Sequence, residues 1–151
     1  MRALIQRVSR ATCHSGGIIT GSIEAGLLIF LGIRSSDTSE DTSYLVRKLQ
    51  TLKLFEDTTG KFQLTLPESK GSILLISQFT LYGSLKKGTK PDFSKAMQPQ
   101  KARAFFDDVT AELKQYFSVA TGSFGNYMQI TSVNEGPVSF MLTTDHLKHH
   151  D

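Results

Sequence analysis

The chain has 151 residues, of which 39% are hydrophobic and 21% charged, and its formal net charge is +3. This length and composition are those of one soluble globular domain, and they exclude a disordered or fibrous protein. The single cysteine, Cys13, excludes a disulfide framework and a multi-cysteine metal site within one chain.

The N-terminal third predicts strands followed by a helix. Residues 2–9 have a strand-like pattern, and Gly16-Gly17 predicts a hairpin turn into a second strand at residues 18–20. Residues 26–33 are apolar and β-branched enough to predict a buried strand. This run is also far shorter than the roughly 20 residues that cross a bilayer. Cap-type and acidic residues at 35–41 precede leucines at helical spacing, which predicts a helix. Without a membrane span or a signal-peptide pattern, we expect a cytoplasmic protein.

The rest of the chain predicts a hairpin at residues 54–64, a strand at 72–82, a polar loop at 83–97 and a helix at 99–113. Two further strands are predicted at 126–133 and 138–143. The stretch 72–82 is the strongest strand prediction, and Asn134–Pro137 predicts a turn between the last two strands. Strands before, between and after two helices indicate a mixed α and β fold. We expect one domain over residues 1–143 and a tail at 144–151.

Histidine and cysteine chemistry has little support in the sequence. His14 lies beside the first turn, whereas His146, His149 and His150 lie in the tail, where chains usually fray, at spacings that match no metal site. A lone cysteine such as Cys13 is usually a small buried apolar residue rather than a nucleophile. Glycine motifs that cradle phosphates are also absent.

Hydrogen-bonding side chains occupy the end of the strongest predicted strand. Ser77, Gln78 and Thr80 follow four apolar residues, and polar groups at such a position are costly unless they are satisfied or used. They are either cross-strand hydrogen-bonding residues or the edge of a pocket whose backbone N–H groups hold an oxyanion.

The segment Asn134-Glu135-Gly136-Pro137-Val138-Ser139 lies between the last two predicted strands. Gly-Pro at such a place is normally a turn, and a trans peptide bond is the default. A cis bond would instead turn the carbonyls of Gly136 and Pro137 into a rigid wall without side chains.

Positive charge is concentrated between residues 86 and 103, where six basic side chains face one acidic one. The segment is either a solvated basic loop or a surface that follows phosphates, with aromatic side chains that can stack on unpaired bases. The candidates for contact with a nucleic acid are Lys86, Lys87, Lys90 and Phe93.

Together these motifs resemble the D-aminoacyl-tRNA deacylase family along nearly the whole chain. The resemblance rests on five segments in the family's order, Gln6–Ala11, Ser77–Leu81, Lys87–Ser94, Gly122–Gln129 and Asn134–Ser139. The second and the last of these are similar to the two family signatures, except that Ser139 stands where the family usually has threonine and Glu135 where aspartate is common.

The resemblance implies a single domain with a mixed, curved β-sheet and two main helices. It implies a homodimeric enzyme, without metal or organic cofactor, that hydrolyses the ester between a D-amino acid and the 3′-terminal adenosine of tRNA. The family also clears glycine mischarged onto tRNA.

The resemblance also assigns roles to individual residues. Ser77, Gln78, Phe79 and Thr80 form the catalytic site, which Gly136 and Pro137 of the partner subunit complete as the Gly-cisPro motif. Arg7 fixes the orientation of the two carbonyls of that motif.

The chemistry of these residues is compatible with the assigned roles. A backbone wall excludes an L side chain but has nothing to exclude in glycine. Because no activated base is evident, we favour attack by water assisted by the tRNA 2′-hydroxyl, with N–H groups near Phe79 and Thr80 holding the oxyanion. Two other readings remain open: a non-catalytic RNA-binding module, and an esterase with Thr80 or Ser77 as its nucleophile.

Overall fold

The first strand of the chain is long and pairs along both edges. In the computed structural model, which describes residues 1–147, β1 (Arg2–Ser15) is followed by eleven further elements. They are, in order, β2 (Ile18–Ile23), β3 (Gly26–Gly32), α1 (Ser39–Thr51), β4 (Lys53–Glu56), β5 (Phe62–Thr65), α2 (Leu66–Ser69), β6 (Ser72–Ser77), a 3-10 turn (Phe79–Tyr82), α3 (Pro99–Lys114), β7 (Val119–Thr121) and β8 (Gln129–Thr143).

Six strands form one mixed sheet in the order β2-β1-β3-β6-β7, and β8 pairs with β1 along its other edge. The pairs β3–β6 and β6–β7 are parallel, and the pairs made by β1 are antiparallel. β2 and β7 approach each other because of Gly21, where an added Cβ would lie 2.3 Å from the carbonyl oxygen of Thr121. The sheet is therefore strongly curved and nearly closed.

Both faces of the central strands are buried. On one face, Leu27, Ile29 and Leu31 of β3 belong to a large core that also contains side chains of α1 and α3. On the other face, Leu28 packs with Leu74 and with residues of β1 in a smaller core inside the curved sheet. Burial on both faces explains why residues 26–32 and 73–76 read as continuous apolar runs rather than alternating ones.

The sequence predictions hold for the fold class and for the two main helices, and they miss two short elements, α2 and β7. The strand predicted at 72–82 is too long, because β6 ends at Ser77 and the chain turns at Phe79–Tyr82. Its parallel neighbour β3 ends at Gly32, and the last backbone bond between them runs from the Gln78 N–H to the Leu31 carbonyl oxygen at 2.8 Å.

The prediction of two C-terminal strands joined by a turn is wrong. β8 runs without interruption from Gln129 to Thr143. Its pairing with β1 jumps from Ser139, opposite Gln6, to Asn134, opposite Val8, so the segment 135–138 bulges opposite the single residue Arg7.

The residues that follow β8 pack onto the domain as far as the structure describes them. The Thr144 hydroxyl is buried and hydrogen-bonds to the amino group of Met1 and to Asp41, and the Met1 amino group lies 2.8 Å from Asp37. The His146 ring contacts Tyr44 edge-on. His149 and His150 lie outside the described residues, and the domain limit at 143 stays a prediction. No helix within residues 1–147 is long and apolar enough to cross a membrane.

Candidate active site

A cavity of about 450 Å³ opens at the edge of the sheet where β3 and β6 end. The carboxyl ends of parallel strands lie at the same sheet edge, a common position for ligand sites. The start of α3 closes another side, because the Met97 N–H donates to the Ile33 carbonyl oxygen at 2.9 Å and so holds the preceding loop against the end of β3. The cavity is lined by Leu31, Ile33, Ser77, Gln78, Phe79, Phe93, Ala96, Met97, Gln98, Pro99, Ala102, Phe124 and Gly125.

The pocket brings together most of the catalytic residues proposed from the sequence. Ser77, Gln78 and Phe79 line it, and Thr80 follows as an exposed residue of the 3-10 turn. The Gln78 side-chain amide donates a hydrogen bond to the Thr80 hydroxyl. Within residues 1–147, neither a histidine nor a carboxylate hydrogen-bonds to the Ser77 or Thr80 hydroxyl, so neither has the base that a covalent nucleophile needs.

The 3-10 turn begins beside the pocket, at Phe79. The first N–H groups of a helical turn have no partner within the turn, and Phe79 and Thr80 supply these groups here. The Phe79 side chain is 57% exposed and meets Phe93 edge-on, with ring centroids 5.0 Å apart. The start of a helical turn, whose first N–H groups have no partner within the turn, therefore lies beside an aromatic wall.

A polar network from the two ends of the chain fixes this turn. The Arg2 guanidinium donates to the Leu81 carbonyl oxygen at 2.9 Å and pairs with Asp145 at 3.0 Å. The Tyr82 hydroxyl donates to the other oxygen of Asp145 at 3.1 Å. Burial and then the charges of Asp37 and Asp145 raise the pKa of Tyr82 far above its ordinary value, so Tyr82 stays a neutral donor.

Arg7 is 7% exposed and lies at the bulge of β8. Its Nε donates to the Glu135 carbonyl oxygen at 3.1 Å, and its Nη1 donates to the Leu54 carbonyl oxygen at 3.0 Å. Its Nη2 pairs with the Glu56 carboxylate at 3.2 Å, and its guanidinium lies 5.5 Å from the centroid of the Phe62 ring. The hairpin β4–β5 thus orients Arg7, and Arg7 holds the carbonyl that precedes Gly136.

Gly136 and Pro137 are exposed, and the peptide bond between them is cis. At φ +122°, position 136 requires glycine, and an added Cβ would also lie 3.1 Å from the Arg7 guanidinium. Neither residue lines the pocket of its own chain. Within one chain, therefore, the structure does not bring the two signature segments together.

Of the four residues proposed from the sequence to contact a nucleic acid, one lines the pocket. Phe93 lines the cavity, whereas Lys86, Lys87 and Lys90 are exposed and do not. The loop is closed by the bridge between Ser84 and Asp92. Hydrogen bonds from the backbone and the hydroxyl of Ser94 lower the pKa of Asp92.

Sequence reasoning missed other pocket residues and one partner of Arg7. Met97, Gln98 and Phe124 line the cavity, and only the resemblance of the segment Gly122–Gln129 pointed toward one of them. Glu56 gave no local signal, because its partner Arg7 is 49 positions away.

The structure also describes the cysteine and the side chains that could bind a metal. Cys13 is fully buried in the smaller core, and residues 1–147 contain no group of three or more histidine, cysteine or acidic side chains placed to hold a metal.

Comparisons with known proteins show which family the sequence matches. The family model for D-Tyr-tRNA(Tyr) deacylase matches residues 4–143. The chain is 41% identical over 144 residues to the D-aminoacyl-tRNA deacylase of Thermosipho melanesiensis and 43% identical over 143 residues to that of Aquifex aeolicus. These matches cover 94% of this chain and 96% and 97% of the two relatives.

Two solved structures are similar in fold. The c-Myc DNA Unwinding Element Binding Protein is 36% identical, with a TM-score of 0.90, over 95% of this chain and 99% of that one. A probable eukaryotic D-amino acid tRNA deacylase is 18% identical, with a TM-score of 0.81, over 93% of this chain and 97% of that one, which shows likeness of fold alone.

Proposed function

The chain belongs to the D-Tyr-tRNA(Tyr) deacylase family, and from this premise we propose how its pocket hydrolyses D-aminoacyl-tRNA. The ester that joins the amino acid to the terminal adenosine lies beside Ser77–Thr80. The adenine packs against the side chains of Phe93, Met97 and Phe124, because apolar and aromatic groups can stack on the flat face of a base. The chemistry needs neither a metal nor an organic cofactor.

Hydrolysis proceeds by direct attack of water on the ester carbonyl carbon. The tRNA 2′-hydroxyl assists the attack by relaying the proton, and the N–H groups of Phe79 and Thr80 hold the oxyanion that develops. The bond between the carbonyl carbon and the 3′-oxygen then breaks, and the 3′-oxygen leaves with the relayed proton. Within residues 1–147 no base hydrogen-bonds to the Ser77 or Thr80 hydroxyl, which supports this route over a covalent intermediate.

Selectivity comes from a second copy of the chain. In a homodimer, the exposed Gly136 and Pro137 of the partner subunit form a wall of carbonyls across the pocket. That wall excludes an L side chain and binds the α-amino group, while glycine enters because it has no side chain to exclude. Arg7 holds the wall through the Glu135 carbonyl, 3.1 Å away.

The exposure of β8 supports the dimer. Val133, Phe140 and Met141 are large apolar side chains that remain exposed on this long strand. Such an edge is an unusual liability for a monomer, because it offers both unpaired backbone groups and apolar surface to another chain.

The basic loop supplies contacts to the tRNA backbone. Lys86, Lys87 and Lys90 are exposed on the segment that ends in Phe93, which itself lines the pocket. A tRNA whose terminal adenosine contacts Phe93 therefore passes close to these positive charges, which attract its phosphates.

The observation that carries the proposal is the aromatic pocket beside unpaired N–H groups without an adjacent base. The test is incubation of the purified protein with D-Tyr-tRNA and, separately, with a simple ester such as p-nitrophenyl acetate. Release of tyrosine from the tRNA without cleavage of the simple ester is expected. Binding without release would indicate an RNA-binding module, and cleavage of the simple ester would indicate an esterase with a side-chain nucleophile.

A further inference from the structure

The loop between β7 and β8 holds an aromatic side chain away from the protein. Tyr127 is 87% exposed, the highest value among the large hydrophobic side chains of residues 1–147. The loop itself is fixed, because the Ser15 hydroxyl donates to the Tyr127 carbonyl oxygen at 2.9 Å and the Asn126 amide donates to the Ser123 hydroxyl at 2.7 Å. Packing within this chain therefore does not account for a tyrosine at position 127.

A polar groove of about 350 Å³ lies between this loop and α3. Arg103 and Lys114 of α3 line it, and neither forms an ion pair with a carboxylate within residues 1–147. Arg103 lies over the Phe124 ring, 5.8 Å from its centroid. Asp107 is the one carboxylate in the lining, so the groove keeps an excess of positive charge.

The groove adjoins the proposed active site at Phe124. Phe124 lines both the catalytic pocket and the groove. Ser123 and Asn126 line both the groove and a shallow depression below Tyr127. A strand that leaves the pocket past Phe124 therefore enters a region that contains hydroxyl and amide groups, two cations and an exposed aromatic ring.

We propose that this surface, made of Arg103, Lys114, Ser123, Asn126 and Tyr127, binds the unpaired nucleotides that precede the terminal adenosine of the tRNA. Tyr127 stacks on a base, and Arg103 and Lys114 contact phosphates. Aromatic platforms combined with exposed cations are how proteins bind single-stranded nucleic acid without reading its sequence. The assignment rests on the proposed function, because it requires the terminal adenosine to occupy the pocket.

The test compares two substrates that differ only beyond the adenosine, D-Tyr-tRNA and 3′-O-D-tyrosyl-adenosine. For Tyr127→Ala, kcat/KM on the tRNA falls about tenfold, the usual cost of one lost stacking contact. On the short substrate kcat/KM stays at the wild-type value. Tyr127→Phe keeps the ring and restores the activity on tRNA. The matched control is Tyr116→Ala, which removes an exposed tyrosine that lines neither the groove nor the pocket.

The charge contribution is tested with Arg103→Gln. We expect its kcat/KM on the tRNA to fall and to depend less steeply on salt concentration. The slope of log kcat/KM against log salt concentration is reduced in magnitude by about 0.7 for one lost phosphate contact. Arg47→Gln, which changes an exposed arginine of α1 outside the groove, leaves both values unchanged.

The outcomes that overturn the proposal are distinct from failure of the proposed function. Suppose that the wild type is active and that Tyr127→Ala either retains full activity on the tRNA or loses activity equally on both substrates. The surface then does not bind the 3′ strand. If Tyr127→Ala changes the sedimentation coefficient, the surface is an interface between copies instead. A wild type that hydrolyses neither substrate contradicts the proposed function itself.

Discussion

Thr80 lies in the 3-10 turn that begins beside the pocket, and its hydroxyl accepts a hydrogen bond from Gln78. If water is the nucleophile, Thr80→Ala removes this one side-chain contact and leaves the backbone N–H groups in place. We expect kcat/KM for D-Tyr-tRNA to fall by less than about tenfold, the scale of one hydrogen bond. The measurement is single-turnover release of tyrosine by the refolded, spectroscopically native variant.

A covalent role for Thr80 makes a different prediction. Loss of an activated nucleophile lowers the rate by on the order of a millionfold in a hydrolase that depends on it. Complete loss of release by a folded Thr80→Ala variant would therefore contradict catalysis by the backbone.

Arg7 is the second residue whose chemistry can be tested alone. Its guanidinium reaches Glu135, Leu54 and Glu56 at once, which the compact ammonium of lysine cannot do. We expect Arg7→Lys to lower kcat/KM for D-Tyr-tRNA at least about tenfold and to lower the free energy of unfolding by about 1–3 kcal/mol, because a buried acceptor loses its donor.

Arg10→Lys is the control for this substitution, because Arg10 lies on the same strand with an exposed side chain. Both substitutions keep one positive charge, so a difference between them reports the geometry at position 7. Wild-type activity of Arg7→Lys would show that the Glu135 carbonyl needs no such donor.

At the scale of elements, the 3-10 turn depends on residues that follow the last strand. Partial burial disfavours ionisation of Asp145, but hydrogen bonds from Arg2 and Tyr82 outweigh it and hold its pKa below the ordinary value. A carboxylate with a lowered pKa stabilises the folded state fully above its unfolded-state pKa of about 3.9. The stabilisation is lost as the pH falls through the lower folded-state value.

Asp145→Asn is therefore expected to lower the free energy of unfolding by about 1 kcal/mol at pH 7. Urea unfolding of both proteins measures the difference, which should stay constant from pH 7 to about pH 5 and shrink below about pH 4. A difference that is independent of pH down to pH 3 would show that the charge of Asp145 does not hold the turn.

Local patterns predicted the helices and most strands because their causes are local. Thr38 and Asp41 cap α1 reciprocally, and Pro99 opens α3, so both starts could be read from the sequence. The end of β6 at Ser77 could not, because Phe79–Tyr82 contains good strand formers and the turn depends on where β3 stops. The bulge in β8 likewise depends on Arg7, far away in the sequence.

At the scale of the whole molecule, the proposed mechanism requires two chains for one site. Ala96→Trp fills the pocket and Gly136→Val disrupts the wall, so each homodimer alone is expected to be inactive. Refolding an equal mixture gives heterodimers in which one intact pocket meets one intact wall, and random pairing restores about a quarter of the sites.

The measurement is D-Tyr-tRNA hydrolysis by the mixture after thermal unfolding has shown that both variants are folded. If the mixture contains heterodimers but is inactive, the wall and the pocket of each site in the wild type come from the same chain. Sedimentation of the wild type as a monomer would contradict the dimer directly.

The distribution of charge belongs to the same scale. The net charge of +3 indicates little by itself, but the basic segment from Lys86 to Arg103 leads to the pocket and to the groove on α3. The placement of these charges, more than their sum, is what suits a substrate with a phosphate backbone.

The central claim is chiral selection by a wall made of backbone, and one ratio tests it most directly. This ratio compares kcat/KM of the wild-type protein for D-Tyr-tRNA with kcat/KM for L-Tyr-tRNA prepared from the same tRNA. Exclusion of a side chain by a rigid wall predicts a D-to-L ratio of at least about a hundredfold, since a steric clash costs several kcal/mol in the transition state. Equal rates for the two isomers would contradict the account.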